Sequence, residues 1–148
     1  MAVRAEARAG RGVRHSEFNP SPASLVHFLQ IWIQPNVQGI EPSYEEKRFG
    51  PEEKRGRLRL IASADQSDGS VLIHQDARVY AGLFDGAESA SLEIGPGRLM
   101  YIHVARGAVD ANGVALEAGD ALKLSETAQL QLQHGRDSEV LVFDLPNE

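Results

Sequence analysis

Apolar and polar residues alternate with period two along much of the C-terminal part of the chain. Gln129-Leu130-Gln131-Leu132-Gln133 is the cleanest case, with both leucines on one face. Runs rich in strand-forming residues recur at Leu58–Ile61, Val71–His74, Arg78–Leu83, Ser91–Ile94, Leu99–Val104, Ala121–Leu124 and Glu139–Phe143. Turn formers separate them: Asp65-Gln66-Ser67-Asp68-Gly69, Asp85-Gly86, Gly95-Pro96-Gly97, Gly119-Asp120 and His134-Gly135-Arg136-Asp137. Asn112-Gly113 is the strongest hairpin signal, because both residues tolerate the positive φ of a type I′ turn. Many short strands at this spacing predict an all-β sandwich or barrel over residues 57–148.

Upstream the pattern changes. His27-Phe28-Leu29-Gln30-Ile31-Trp32-Ile33-Gln34 reads as a strand ended by Pro35, which cannot donate to a ladder. Asn19-Pro20-Ser21-Pro22 is turn chemistry, and the segment before it carries His15-Ser16-Glu17. Together these predict a hairpin. On a strand, residues two apart share a face about 6.5–7 Å apart, so His15 and Glu17 can lean toward one metal ion. His27 reads as a strand-end histidine bonded to backbone rather than as a further ligand. Residues 1–10, mostly alanine and arginine, predict a loose helix or disorder. Residues 36–56, with mixed charge and punctuating glycines and prolines, predict a solvated linker anchored by Tyr44 and Phe49.

Composition narrows the chemistry. The 148 residues carry a formal net charge of −6, which argues against a nucleic-acid surface. There is no cysteine, which removes thiol catalysis and disulfides and fits a cytoplasmic protein. No apolar run reaches the length of a membrane helix, and the arginines near the start lack the apolar core of a secretory signal. No glycine motif has the strand-to-helix setting of a phosphate loop, and no serine sits in a nucleophile elbow. His74 and Asp76 repeat the two-residue spacing and His103 lies on a later strand, but they read as structural or surface polar residues; His134 reads as a solvated turn residue.

Three motifs in order carry a family resemblance: Gly10-Arg11-Gly12-Val13-Arg14-His15-Ser16-Glu17-Phe18-Asn19, His27 to Pro35, and Pro42-Ser43-Tyr44-Glu45-Glu46-Lys47-Arg48-Phe49. They resemble bacterial pirins, bicupins of which several members act as quercetin 2,3-dioxygenases. The resemblance implies a cupin-type jelly-roll barrel at 57–148, a linker at 36–56, and at 1–35 a hairpin remnant of a first cupin barrel. It implies that His15 and Glu17 descend from the family's metal site, which uses three histidines and one glutamate. It also implies a divalent metal, Fe(II), and a flavonol substrate such as quercetin. The family's His-x-His segment has no counterpart here, since no histidine precedes His15. The expectation is therefore a shortened chain, inactive alone, that binds metal weakly and self-associates through exposed hairpin edges. The alternative is a non-catalytic cupin module acting in protein interaction or regulation.

Overall fold

The computed structural model describes residues 2–7 and 18–147, with side chains from residue 18 onward. In chain order the elements are β1 (Ala2–Ala7), β2 (Ser43–Arg48), a single helical turn α1 (Pro51–Lys54), β3 (Leu58–Ser63), β4 (Val71–Leu72), β5 (Arg78–Phe84), β6 (Ala90–Glu93), β7 (Arg98–Ala111), β8 (Val114–Glu117), β9 (Ala121–Leu124) and β10 (Gln129–Pro146). The eight strands from β3 onward form one sheet in the order β4-β3-β5-β10-β7-β8, with β6 joined to β10 and β9 to β7. β7 and β10 are long enough to belong to both walls of the barrel. Their pairing shifts register around Gln133, Arg136 and Glu139, and there the ladder bends. Gly107 is required at this bend: its φ is +64°, and a Cβ would run into the carbonyls of Arg136 and Asp137.

The side chains of the sheet bury two layers. Val140 and Val142 face inward with Phe84, Met100, Ile102, Val104, Leu130 and Leu132, forming the barrel interior. Leu141 faces the other way and packs with Phe49, Ile61, Ala62, Val71, Val79 and Ala81. Tyr101 and Phe143 extend this outer layer, with ring centroids 5.9 Å apart. The expected Asn112-Gly113 hairpin joins β7 to β8, with positive φ at both residues and Ala111 opposite Val114.

Three expectations are corrected. His134–Asp137 does not end a strand: His134 and Asp137 take positive φ, but pairing with β7 continues on both sides, so the segment is a bulged bend within β10. Residues 2–7 are neither helix nor disorder. They pair antiparallel with β2, placing Arg4 opposite Glu46 and Glu6 opposite Tyr44, and this pairing overrides the helical preference of alanine. The strand expected over His27–Gln34 does not form. The segment has no ladder partner among the described residues, and Phe28 and Ile31 are exposed to solvent. Residues 36–56 include two short elements and the expected Phe49 anchor. β2 and α1 lie within this stretch, Phe49 is buried, and Lys54 is only 2% exposed, its ammonium 3.0 Å from Glu139 Oε1. α1 forms because Pro51 begins it and the Glu53 carboxylate reaches back to accept from the Gly50 amide at 2.7 Å.

Candidate functional site

His15 and Glu17 lie outside the described residues. The chain that follows them is ordered locally by short polar contacts. The Asn19 side chain accepts from the Ser21 amide at 3.1 Å, and Ser21 Oγ accepts from the Ser24 amide at 3.0 Å. The chain then runs without regular secondary structure to Ile33, which packs on the outer layer, and is tied down by Gln75 Nε2 donating to the Gln34 carbonyl at 2.8 Å and by the Asn36 amide donating to the His74 carbonyl at 2.8 Å. His27 is exposed and lies outside any strand.

The other titratable candidates do not converge. The Asp76 carboxylate is 2.7 Å from Arg98 Nη1, and Arg98 Nε is 2.7 Å from Asp144 Oδ1. Partial burial pulls the Arg98 pKa down, but the hydrogen bond and charge of Asp144, with Asp76, outweigh it and hold the guanidinium firmly charged. This trio ties the loop before β5 to the start of β7 and the end of β10. His103 alternates with the inward-facing Ile102 and Val104, so it faces away from the barrel interior. His134 is exposed to solvent, as expected, and its Nδ1 is 2.8 Å from Asp110 Oδ2. Among the described residues no group of three or more His, Asp or Glu could hold a metal ion, and the barrel interior is lined by apolar side chains. The described barrel therefore does not fit a metal.

Polar chemistry is concentrated instead at two places on the edge of β3. One is a strap: Glu45 accepts from the Leu72 amide at 2.9 Å and lies 2.8 Å from Lys47 Nζ, while Lys47 donates to the Ser70 carbonyl. The Lys47 hydrogen bond, then the Leu72 amide, hold the Glu45 carboxyl below its ordinary range. Asp65, whose carboxylate accepts from Ser67 and Ser63, is held lower still. The other is an open cleft of about 540 Å³, lined by Arg57, Leu58, Leu60, Arg78 and Tyr80 together with Glu53, Arg59 and the turn at Ser67-Asp68. Tyr80 faces the inner layer opposite Leu60 and Val142, and burial pushes its phenol above the ordinary 10.0. The sequence pattern did not mark this cleft; a tyrosine at an inward strand position was the one available sign.

The family model of the quercetinase C-terminal cupin domain matches residues 60–145. A quercetin 2,3-dioxygenase of Escherichia coli K12 is 39% identical over 138 residues, covering 93% of this chain and 58% of that protein. A pirin-like protein of Caulobacter vibrioides is 33% identical over 137 residues, covering 92% of this chain and 59% of its own length. The crystal structure of YhhW from Escherichia coli superposes with a TM-score of 0.73 at 35% identity, over 79% of this chain and 49% of that one. The bacterial pirin YhhW in complex with nickel(II) superposes equally well, with a TM-score of 0.72 at 36% identity over the same shares. The chain thus spans less than three fifths of the length of the curated relatives it matches. No helix among the described residues is long and apolar enough to cross a membrane.

Proposed function

Because the chain belongs to the pirin family, we propose that it derives from a metal-dependent flavonol 2,3-dioxygenase. In this reading residues 1–35 come from the first cupin barrel, 36–56 connect, and 57–148 are the C-terminal cupin. The observation that carries the reading is the His15-Ser16-Glu17 motif in a chain similar along nearly all its length to a quercetin 2,3-dioxygenase. His15 and Glu17 supply an imidazole and a carboxylate to a divalent metal, Fe(II) in this reading, and a flavonol such as quercetin is the substrate. The metal, when bound, supplies Lewis acidity and a template for substrate and dioxygen. The absence of cysteine supports a cytoplasmic setting.

The 148-residue chain offers two of the four ligands of the family pattern. Loss of contacts to ligands alone costs about 10–100-fold in metal affinity, and loss of two imidazoles costs more. Purified alone, loaded with Fe(II) and freed of excess metal, the chain should show no decay of quercetin absorbance under air. Stoichiometric retained iron, with turnover abolished by His15→Ala, overturns this and means that further donors complete the site.

The apolar barrel interior favours a second reading, a non-catalytic module that works by association. Leu25, Val26, Phe28 and Ile31 are exposed, and such a surface favours self-association. Light scattering at rising concentration reads it out: growth in mass supports the module, and a monodisperse monomer contradicts it.

A further inference from the structure

We propose that the cleft beside β3 binds a small organic monoanion, an aromatic carboxylate, with its charge on Arg78, which shares a strand face with Tyr80, and its ring against Tyr80, Leu60 and Leu58, while Arg57 adds positive charge at the other end of the cleft. The charge comes first. Three guanidiniums and two carboxylates line the cleft, but they are not equally committed. Glu53 is used up: one oxygen accepts from the Gly50 amide and the other lies 3.4 Å from Arg59 Nε. Arg59 is also held by the Asp68 carbonyl and by the face of Phe49, 5.3 Å from its guanidinium carbon. The Arg57 and Arg78 side chains have no ion-pair partner among the described residues. The Asp68 carboxylate is the one charge in the cleft that opposes an incoming anion, and it stands against two free guanidiniums.

The chemistry of the anion follows from the remaining walls. A guanidinium fork matches the two oxygens of a carboxylate or phosphate. Leu58 and Leu60 offer nothing polar to a bare inorganic ion, but they suit the face of a ring. The half-buried Tyr80 adds an aromatic wall and a phenol with no hydrogen-bond partner among the described residues. β4 pairs only with Ala62 and Ser63, so among the described residues no strand covers the β3 edge at Leu58–Leu60 and the cleft stays open. A volume of about 540 Å³ suits a molecule of one or two rings.

Calorimetric titration of the 148-residue chain with 2-naphthoate, 2-naphthamide and inorganic phosphate tests the proposal. Saturable binding of 2-naphthoate, with 2-naphthamide weaker by at least about tenfold, is expected, since the amide keeps the ring and loses the charge. The double variant Arg57→Gln, Arg78→Gln should lose at least about tenfold for the carboxylate and little for the amide. Tyr80→Phe should lose about threefold. Both arginines are exposed, so a circular-dichroism melt unchanged from the parent shows that the fold survives. Equal affinity for carboxylate and amide, no binding of 2-naphthoate, phosphate bound in preference to it, or a folded double variant that binds 2-naphthoate as the parent does would each overturn the proposal.

Discussion

Strand β10 and the segment from Leu25 to Ile33 are both rich in large apolar side chains, and they meet opposite fates. In β10 the apolar residues on both faces are covered, Val140 and Val142 by the barrel interior and Leu141 by the layer around Phe49. In the segment Phe28 is 57% exposed, and only Ile33 joins a cluster. The difference is partnership rather than composition. β10 is paired with β5, β6 and β7, so its backbone groups are satisfied and its side chains meet other strands. The segment has no strand beside it among the described residues, and apolar side chains alone do not hold an extended chain in a sheet.

The largest contrast between the two regions is expected from side-chain truncations. Met100→Ala or Ile102→Ala, both fully buried, should cost about 2–5 kcal/mol in chemical denaturation. Phe28→Ala, of similar apolar size, should change stability by less than about 0.5 kcal/mol. Equal costs would show that the segment is packed in solution and would end the distinction. Next in size is the Arg98 tie. Arg98→Met leaves Asp144 buried without its partner and should cost about 1.5–3 kcal/mol, while Asp76→Asn, on the exposed side, should cost much less. Limited proteolysis follows: first cuts should fall within residues 19–34, and an early cut within Arg78–Phe84 would contradict the barrel as one unit.

The smallest effect is on the strap. Glu45 has a lowered pKa in the folded state, so it contributes stability fully above its ordinary value of 4.5. That contribution is lost as pH falls through the depressed folded value. The melting temperature of the parent should therefore drop more steeply below pH 4.5 than that of Glu45→Gln. Parallel curves would mean that the carboxylate contributes nothing there.

Much of the barrel was legible from the chain because its signals are local. Alternation in Gln129–Gln133 and the Asn112-Gly113 turn are decided within a few residues, and both reappear in the structure. What the sequence hid depends on distant partners. His134–Asp137 has the residues of a turn, yet pairing with β7 keeps it inside one bent strand. Ala2–Ala7 has helical residues, yet a partner some forty positions away makes it a strand. The candidate metal ligands were legible only through the motif around His15 and Glu17, which lie outside the described residues. Of the cleft only the inward Tyr80 was legible, because Arg57 and Arg78 come to line one cleft only when β3 and β5 lie side by side.

In the proposed reading the metal chemistry of this chain rests on His15 and Glu17 rather than on the barrel. Titration with Ni(II), followed by calorimetry on the parent and on two variants, tests it directly. Weak binding is expected in the parent, with loss of that binding in His15→Ala and no change in the double variant His74→Ala, His103→Ala. Binding that survives His15→Ala and disappears with the two barrel histidines would contradict it.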